Sequence, residues 1–179
     1  TAELAMRCTD SALTHFDFLP DGNIVAATRH TVQTPDGDTH PEDLLVYRAN
    51  PETKACEIVR NLTNNKEGDV ARDFALSPDK TTIAFFGGAK LPSSSDMLGA
   101  ILSPHTVPVD GSRPPAPVPG VTGAGDPGLG PRWAAGGTVI TWSQMDLTFI
   151  SMGIPASRIM AVPAEGGTPI EVAGSEASA

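Results

Sequence analysis

The sequence is poor in charge, in aromatic side chains and in cysteine. Charged residues make up 18% of the 179 residues, aromatic residues make up 5%, and there are two cysteines. Lys and Arg number 12 against 21 Asp and Glu, a formal net charge of −9. Sequence-independent binding to nucleic acid needs a cationic surface, so no nucleic-acid partner is predicted. No apolar run is long enough for a membrane-spanning helix, so no membrane insertion is expected.

Local motifs of common catalytic sites are also missing. The sequence has no G-x-S-x-G elbow and no C-x-x-C-H haem site. Its four histidines, His15, His30, His40 and His105, lack the H-x-x-x-H spacing of a zinc site. The glycine-rich segment 123–128 lacks the Lys-Ser/Thr of a phosphate loop and reads as a connection. We therefore predict no catalytic residues.

Glycine and proline are plentiful. Eighteen glycines and 17 prolines make up 35 of the 179 residues, well above the usual share of about 12%. Hydrophobic residues make up 40% of the chain, which is too many for a disordered protein. So many helix-breaking residues favour short strands joined by turns. The composition predicts a soluble, acidic, all-β protein.

An internal repeat is built around a Pro-Asp pair. Pro20-Asp21 and Pro78-Asp79 lie 58 residues apart, each between two apolar segments. Proline pre-sets φ for a turn and Asp bonds the nearby backbone, so each pair predicts a tight turn between strands. A third, weaker copy over residues 133–142 lacks the pair. Aromatic residues at equivalent strand positions are expected to pack between repeats: Phe74, Phe85, Phe86, Trp133 and Trp142.

The second half of each repeat carries another hairpin. Asp110-Gly111 and Glu165-Gly166 form polar turns between apolar segments, and residues 50–54 are equivalent in the first repeat. Four short antiparallel strands per repeat is the pattern of a β-propeller blade. The sequence predicts a single all-β, partial β-propeller unit over residues 1–179, with blades at approximately 12–63, 70–122 and 129–174. A β-sandwich is the alternative fold.

Ser77-Pro78-Asp79, followed by a strand that reaches Phe85, resembles the repeat of TolB-like β-propellers. That repeat has an apolar or aromatic residue, then Ser-Pro-Asp-Gly, then a strand ending in an aromatic residue. The first copy has Leu19 in place of the serine, and the third copy is degenerate. The resemblance implies a partner-binding module of the bacterial envelope or a non-catalytic domain of a larger enzyme. It implies no catalytic residues, because the family shares none.

Three repeats are fewer than the four to eight blades of closed propellers. Three blades leave two open edges whose unpaired N–H and C=O groups invite pairing. We therefore expect either that the chain is part of a longer propeller or that a protein partner supplies the further blades.

The predicted tight turns gather on one face of the blades and the long loops on the other. Function tends to sit on long loops over a rigid scaffold. One long loop, residues 143–157, is largely apolar, which is typical of a partner surface; alternatively it folds over the edge of its own blade. The candidate partner-binding residues are Met145, Leu147, Phe149, Ile150, Met152 and Ile154.

A second loop is acidic. Carboxylate oxygens and one imidazole lie close together in it, and calcium takes six to eight oxygen ligands. The alternative is that the carboxylates are simply solvated. The candidate metal ligands are Asp36, Asp38, His40, Glu42 and Asp43, and calcium is the only cofactor that the sequence suggests.

Cys8 and Cys56 are too far apart in sequence for a C-x-x-C zinc site. A disulfide between them would close a loop of about 48 residues and stabilise the fold by ~3–4 kcal/mol on the chain-entropy model. The alternative is two buried free thiols. A disulfide would imply an oxidising compartment, so the location expected is extracytoplasmic, either periplasmic or secreted.

These observations favour a non-catalytic binding or scaffold module that recognises a protein partner through its long-loop face. The alternative function is a propeller subunit or fragment of a larger extracytoplasmic enzyme, a hydrolase or lyase, whose catalytic residues lie elsewhere.

Overall fold

The computed structural model describes residues 13–35, 37–39, 41–53, 55–66, 69–90, 100–122, 125, 129–145 and 157–174. The described residues form strands, turns and one short 3-10 helix (Ala135–Gly137). None of their helices is long and apolar enough to cross a membrane. The predicted all-β class is confirmed.

Three four-stranded antiparallel sheets follow one another along the chain. Each sheet is formed by strands in sequence order, so each is a blade of a partial β-propeller. Blade 1 contains β1 (Leu13–Phe18), β2 (Ile24–Arg29), β5 (Glu42–Asn50) and β6 (Ala55–Asn61), and its long β2–β5 connection carries a hairpin of β3 (Val32–Thr34) and β4 (Gly37–Thr39). Blade 2 contains β7 (Asp69–Leu76), β8 (Thr82–Lys90), β9 (Ala100–Pro108) and β10 (Ala116–Pro117). Blade 3 contains β11 (Arg132–Ala134), β12 (Val139–Met145), β13 (Ser157–Pro163) and β14 (Ile170–Gly174).

Two apolar cores hold the blades together. The first core lies between blades 1 and 2 and includes Val25, Val46, Phe74, Ile83 and Phe85. The second core lies between blades 2 and 3 and includes Val70, Phe86, Ile140, Trp142 and Val162, with Trp133 packed against it. The five aromatic residues predicted to pack between repeats therefore do so.

The β7–β8 turn of blade 2 is one residue longer than the β1–β2 turn of blade 1. The amide of Leu19 donates to the carbonyl oxygen of Asn23 at 2.8 Å, and the amide of Ser77 donates to the carbonyl oxygen of Thr82 at 2.8 Å. The second bond therefore closes a turn with one more residue. An alignment on the two Pro-Asp pairs would therefore be wrong by one position beyond the turn. A shift of one residue exchanges the two faces of a strand, so Ile83 is equivalent to Ile24 and not to Val25.

The inner strands of blades 2 and 3 approach closely. The indole Nε1 of Trp133 donates to the carbonyl oxygen of Ala75 at 2.9 Å. A Cβ placed on Gly130 would collide with the carbonyl oxygen and Cβ of Asp73. Asp73 has φ 49° and lies where the β7–β8 register shifts, between Arg72 and Ala75. The missing side chain at Gly130 therefore lets the bulged part of β7 pack against blade 3.

We expect Gly130→Ala to lower the free energy of unfolding by about 2–3 kcal/mol, because the backbone of β7 must move to admit the added methyl group. Urea unfolding followed by far-ultraviolet circular dichroism measures this loss. The matched control is Gly136→Ala, since a Cβ there meets nothing within 4 Å and only the φ of 68° is unfavourable. The control should lose about 1 kcal/mol. Equal losses for the two variants would contradict the close approach.

Candidate functional site

The apolar loop predicted to bind a partner lies almost entirely outside the described residues. Met145 is the last residue of β12, pairs with Ser157 of β13 and is partly buried. The other five candidates are outside the described ranges: Leu147, Phe149, Ile150, Met152 and Ile154. Their role as a partner surface stays a prediction.

The predicted calcium loop is described in part. Asp36 and His40 lie outside the described residues, and Asp38 is exposed on β4. Glu42 and Asp43 begin β5, where Glu42 is partly buried and Asp43 is 1% exposed. The described residues contain no group of three or more His, Cys, Asp or Glu side chains that could hold a metal ion. Calcium binding stays a prediction.

The carboxylate of Asp43 accepts hydrogen bonds from the segment that leads from blade 1 to blade 2. Its Oδ1 accepts from the hydroxyl of Thr63 at 2.5 Å and from the amide of Asn65 at 2.8 Å. Its Oδ2 accepts from Nδ2 of Asn61 at 2.8 Å and lies 3.6 Å from Nε2 of His30. A buried carboxylate is tolerated only when such partners replace its water. Asp43 therefore fixes the path of residues 61–65.

Glu42 ties the same region to blade 2. Its two carboxylate oxygens accept from Nε and Nη2 of Arg72 on β7, at 2.5 and 2.7 Å. Its carbonyl oxygen accepts from Nδ2 of Asn65 at 2.5 Å. A two-pronged Arg–carboxylate pair is stronger and more directional than an ordinary ion pair. Both carboxylates thus have a structural role in joining two blades.

We expect Asp43→Ala to lower the free energy of unfolding by about 3 kcal/mol, since it leaves the buried donor of Thr63 and the partly buried donors of Asn61 and Asn65 unpaired. Thermal and urea unfolding measure the loss. Asp38→Ala is the control and should change stability by less than about 0.5 kcal/mol, because Asp38 is exposed. If added calcium stabilised the native chain and Asp38→Ala removed that effect, the loop would be a calcium site.

Large apolar side chains are exposed on the face of blade 1 that points away from blade 2. The centre of this face is a small buried cluster of Ala26, Leu45 and Tyr47. At its edges Phe16 is 53% exposed, Phe18 59% and Ile58 53%. The two phenylalanine rings meet edge to face with centroids 6.0 Å apart. We call Phe16, Phe18 and Ile58 the apolar margin of blade 1.

The outward face of blade 3 is different. Thr141 and Ser143 stand on β12 where blade 2 has Ala84 and Phe86, so the centre of the face is more polar. A cavity of about 190 Å³ lies beside them and is lined in part by Leu129 and Ile159. Other exposed apolar residues of this blade are Ile170 and Val172 on β14.

The apolar margin of blade 1 was not predicted from the sequence. The alternation Phe16-Asp17-Phe18 places both rings on one side of β1. Such alternation is typical of any half-buried strand, so it indicates a shared side but not exposure. Exposure follows only from the stacking of blade 2 on the opposite face of blade 1.

No protein-family model matches the sequence, and none of the curated proteins matches it. The fold is similar to a hydrazine synthase of Kuenenia stuttgartiensis at 14% identity and a TM-score of 0.46, over 87% of this chain and 41% of that one. It is also similar to a puromycin-hydrolysing peptidase of Mycobacterium tuberculosis at 13% identity and a TM-score of 0.43, over 87% of this chain and 29% of that one. The chain thus spans less than half the length of each.

Proposed function

We propose that this chain is a non-catalytic β-propeller module that binds a protein partner. The observation that carries the proposal is the apolar margin of blade 1, where three large side chains are each more than half exposed on one sheet face. Phe16 and Phe18 form one exposed apolar pair on β1, and Ile58 lies on the opposite edge strand, β6. Exposed large apolar side chains that share a face favour an interaction surface. A second sheet face of apolar character is the partner chemistry that fits them.

Stacking inside the chain supports this choice of partner. Ile83 and Phe85 of blade 2 point toward blade 1, and Ile140 and Trp142 of blade 3 point toward blade 2, and all are buried. The equivalent face of blade 1 has only the small cluster around Leu45 at its centre and an exposed margin. Further blades, from a protein partner or from additional sequence, would cover this margin. They would do so in the way that blade 1 covers one face of blade 2 and blade 2 covers one face of blade 3.

The long-loop face is the second contact in this proposal. Replacing Phe149 and Met152 together by Ser should weaken partner association by at least about tenfold, because each buried apolar side chain contributes roughly 1.5–3 kcal/mol. Native mass spectrometry and pull-down of the tagged chain from its source would measure the complex. Phe16→Ser with Phe18→Ser tests the margin of blade 1 separately.

The matched control is Ile170→Ser, which changes an apolar side chain that is 61% exposed and begins β14 of blade 3, directly after the tight β13–β14 turn and therefore away from both surfaces. It should leave association unchanged. Unchanged association in both double variants would overturn the proposal. A partner that carries a catalytic domain would instead make this chain the propeller subunit of an extracytoplasmic enzyme.

We also propose that Cys8 and Cys56 form a disulfide and that the protein acts outside the cytoplasm. Cys8 lies outside the described residues. Cys56 lies on β6, partly buried, and packs against the cluster of Ala26, Leu45 and Tyr47. A bridge there would tie the segment before β1 to the outermost strand of blade 1, next to the apolar margin.

Reduction should add the mass of two hydrogens to the intact chain and lower the free energy of unfolding by about 3–4 kcal/mol. Denaturing mass spectrometry with and without reductant, beside urea unfolding, measures both effects. A variant with Cys8→Ser and Cys56→Ser should be insensitive to reductant. An unchanged mass on reduction would mean two free thiols and would remove this support for an oxidising compartment.

A further inference from the structure

A groove of about 570 Å³ runs between blades 2 and 3 on the side of the tight turns. The β7–β8 and β9–β10 turns of blade 2 form one wall, and the turns beside Gly136 and Glu165 of blade 3 form the other. This side is opposite the long-loop face. The volume lies within the range of small-molecule sites, roughly 300–1,000 Å³.

One wall of the groove is a fixed aromatic ring. Trp133 lines the groove and packs against the second core. Its Nε1 already donates to the carbonyl oxygen of Ala75 at 2.9 Å. The indole is therefore held in place and offers its apolar surface to a ligand, with its N–H group already bonded.

Asp79 supplies a fixed carboxylate. Its Oδ1 accepts from the hydroxyl of Ser77 at 2.6 Å, and from the amide and hydroxyl of Thr81 at 3.1 and 2.9 Å. These hydrogen bonds, that of Ser77 foremost, hold the pKa of Asp79 below its usual range. Among the described residues these hydrogen bonds all go to Oδ1, which leaves Oδ2 to accept from a ligand.

Two further charges face the groove without partners among the described residues. Arg113 lies on the β9–β10 turn and Glu165 on the β13–β14 turn, and both are exposed. Thr82 and Thr106 also line the groove. The groove thus offers donors and acceptors in a small space. Among its described lining residues, the single cation, Arg113, is outweighed by the two carboxylates of Asp79 and Glu165.

This combination selects against several ligand classes. Two carboxylates repel phosphates and other polyanions, so a nucleotide is disfavoured. The many polar groups disfavour a purely apolar ligand. A neutral, hydroxyl-rich ring satisfies both conditions, because its hydroxyls form charge-assisted bonds with carboxylates and guanidinium while its C–H face packs on the indole.

We propose that the groove between blades 2 and 3 binds a short, uncharged oligosaccharide, with Trp133 as the packing surface and with Asp79, Arg113 and Glu165 as the groups that bond its hydroxyls. The groove is separate from both partner surfaces, so this proposal does not rest on the proposed function.

Titration calorimetry and saturation-transfer NMR with cellobiose, maltose and N,N′-diacetylchitobiose test the proposal on the full chain. At least one disaccharide should bind and perturb the indole signal of Trp133. Arg113→Ala with Glu165→Ala should weaken binding by at least about tenfold. The fold should be unaffected, because neither side chain has a partner among the described residues.

The matched control is Arg48→Ala with Glu57→Ala, which removes the same two residue types from an exposed pair on blade 1, 3.4 Å apart. It should leave sugar binding unchanged. Three results would each overturn the proposal. The first is that none of the three disaccharides binds at high millimolar concentration, and the second is that the groove variant binds them as tightly as the native chain. The third is that the groove binds inorganic phosphate in preference to sugar. Partner association should persist in the groove variant, so the two proposals fail independently.

Discussion

The structure depends on strands that are buried on both faces. Four consecutive residues of β8, from Ile83 to Phe86, are each no more than 2% exposed. Ile83 and Phe85 belong to the first core, and Ala84 and Phe86 belong to the second. Since burying a large apolar side chain contributes roughly 1.5–3 kcal/mol, this one strand stabilises both blade contacts. The contact between blades 2 and 3, and with it the groove between their turns, follows from that stacking.

The sequence predicted the regular part of this arrangement. Pro20-Asp21 and Pro78-Asp79 mark tight turns whose chemistry is local, so they are readable without the fold. The number of strands in each blade and the packing of Phe85 and Trp142 between blades followed from the repeat. The extra residue in the β7–β8 turn was not visible, because a Pro-Asp pair indicates a turn but does not set its length.

The interactions between blades could not be predicted from the sequence. Asp43 and Glu42 looked like metal ligands, since oxygen-rich loops have the same composition whether they bind calcium or amide and guanidinium groups. In the fold, residues 61–65 lie against the carboxylate of Asp43, and Arg72 of β7 lies against that of Glu42. These contacts are visible only once the blades are packed together. Likewise, Asp79 and Glu165 are 86 positions apart in the chain and share a groove only because blades 2 and 3 stack. No spacing rule joins such residues.

Because each blade packs on its sequence neighbours, cooperativity within the described chain runs along a line, as in other repeat proteins. Blade 2 has a stacked neighbour on both faces, whereas blades 1 and 3 each have one among the described residues. The amides of β8 and β9, the central strands of blade 2, are therefore expected to be well protected from exchange with solvent, since their blade is covered on both faces. Among the described residues, blade 2 is therefore the part held by the most packing, and the outer faces of blades 1 and 3 are those that can unfold at least cost.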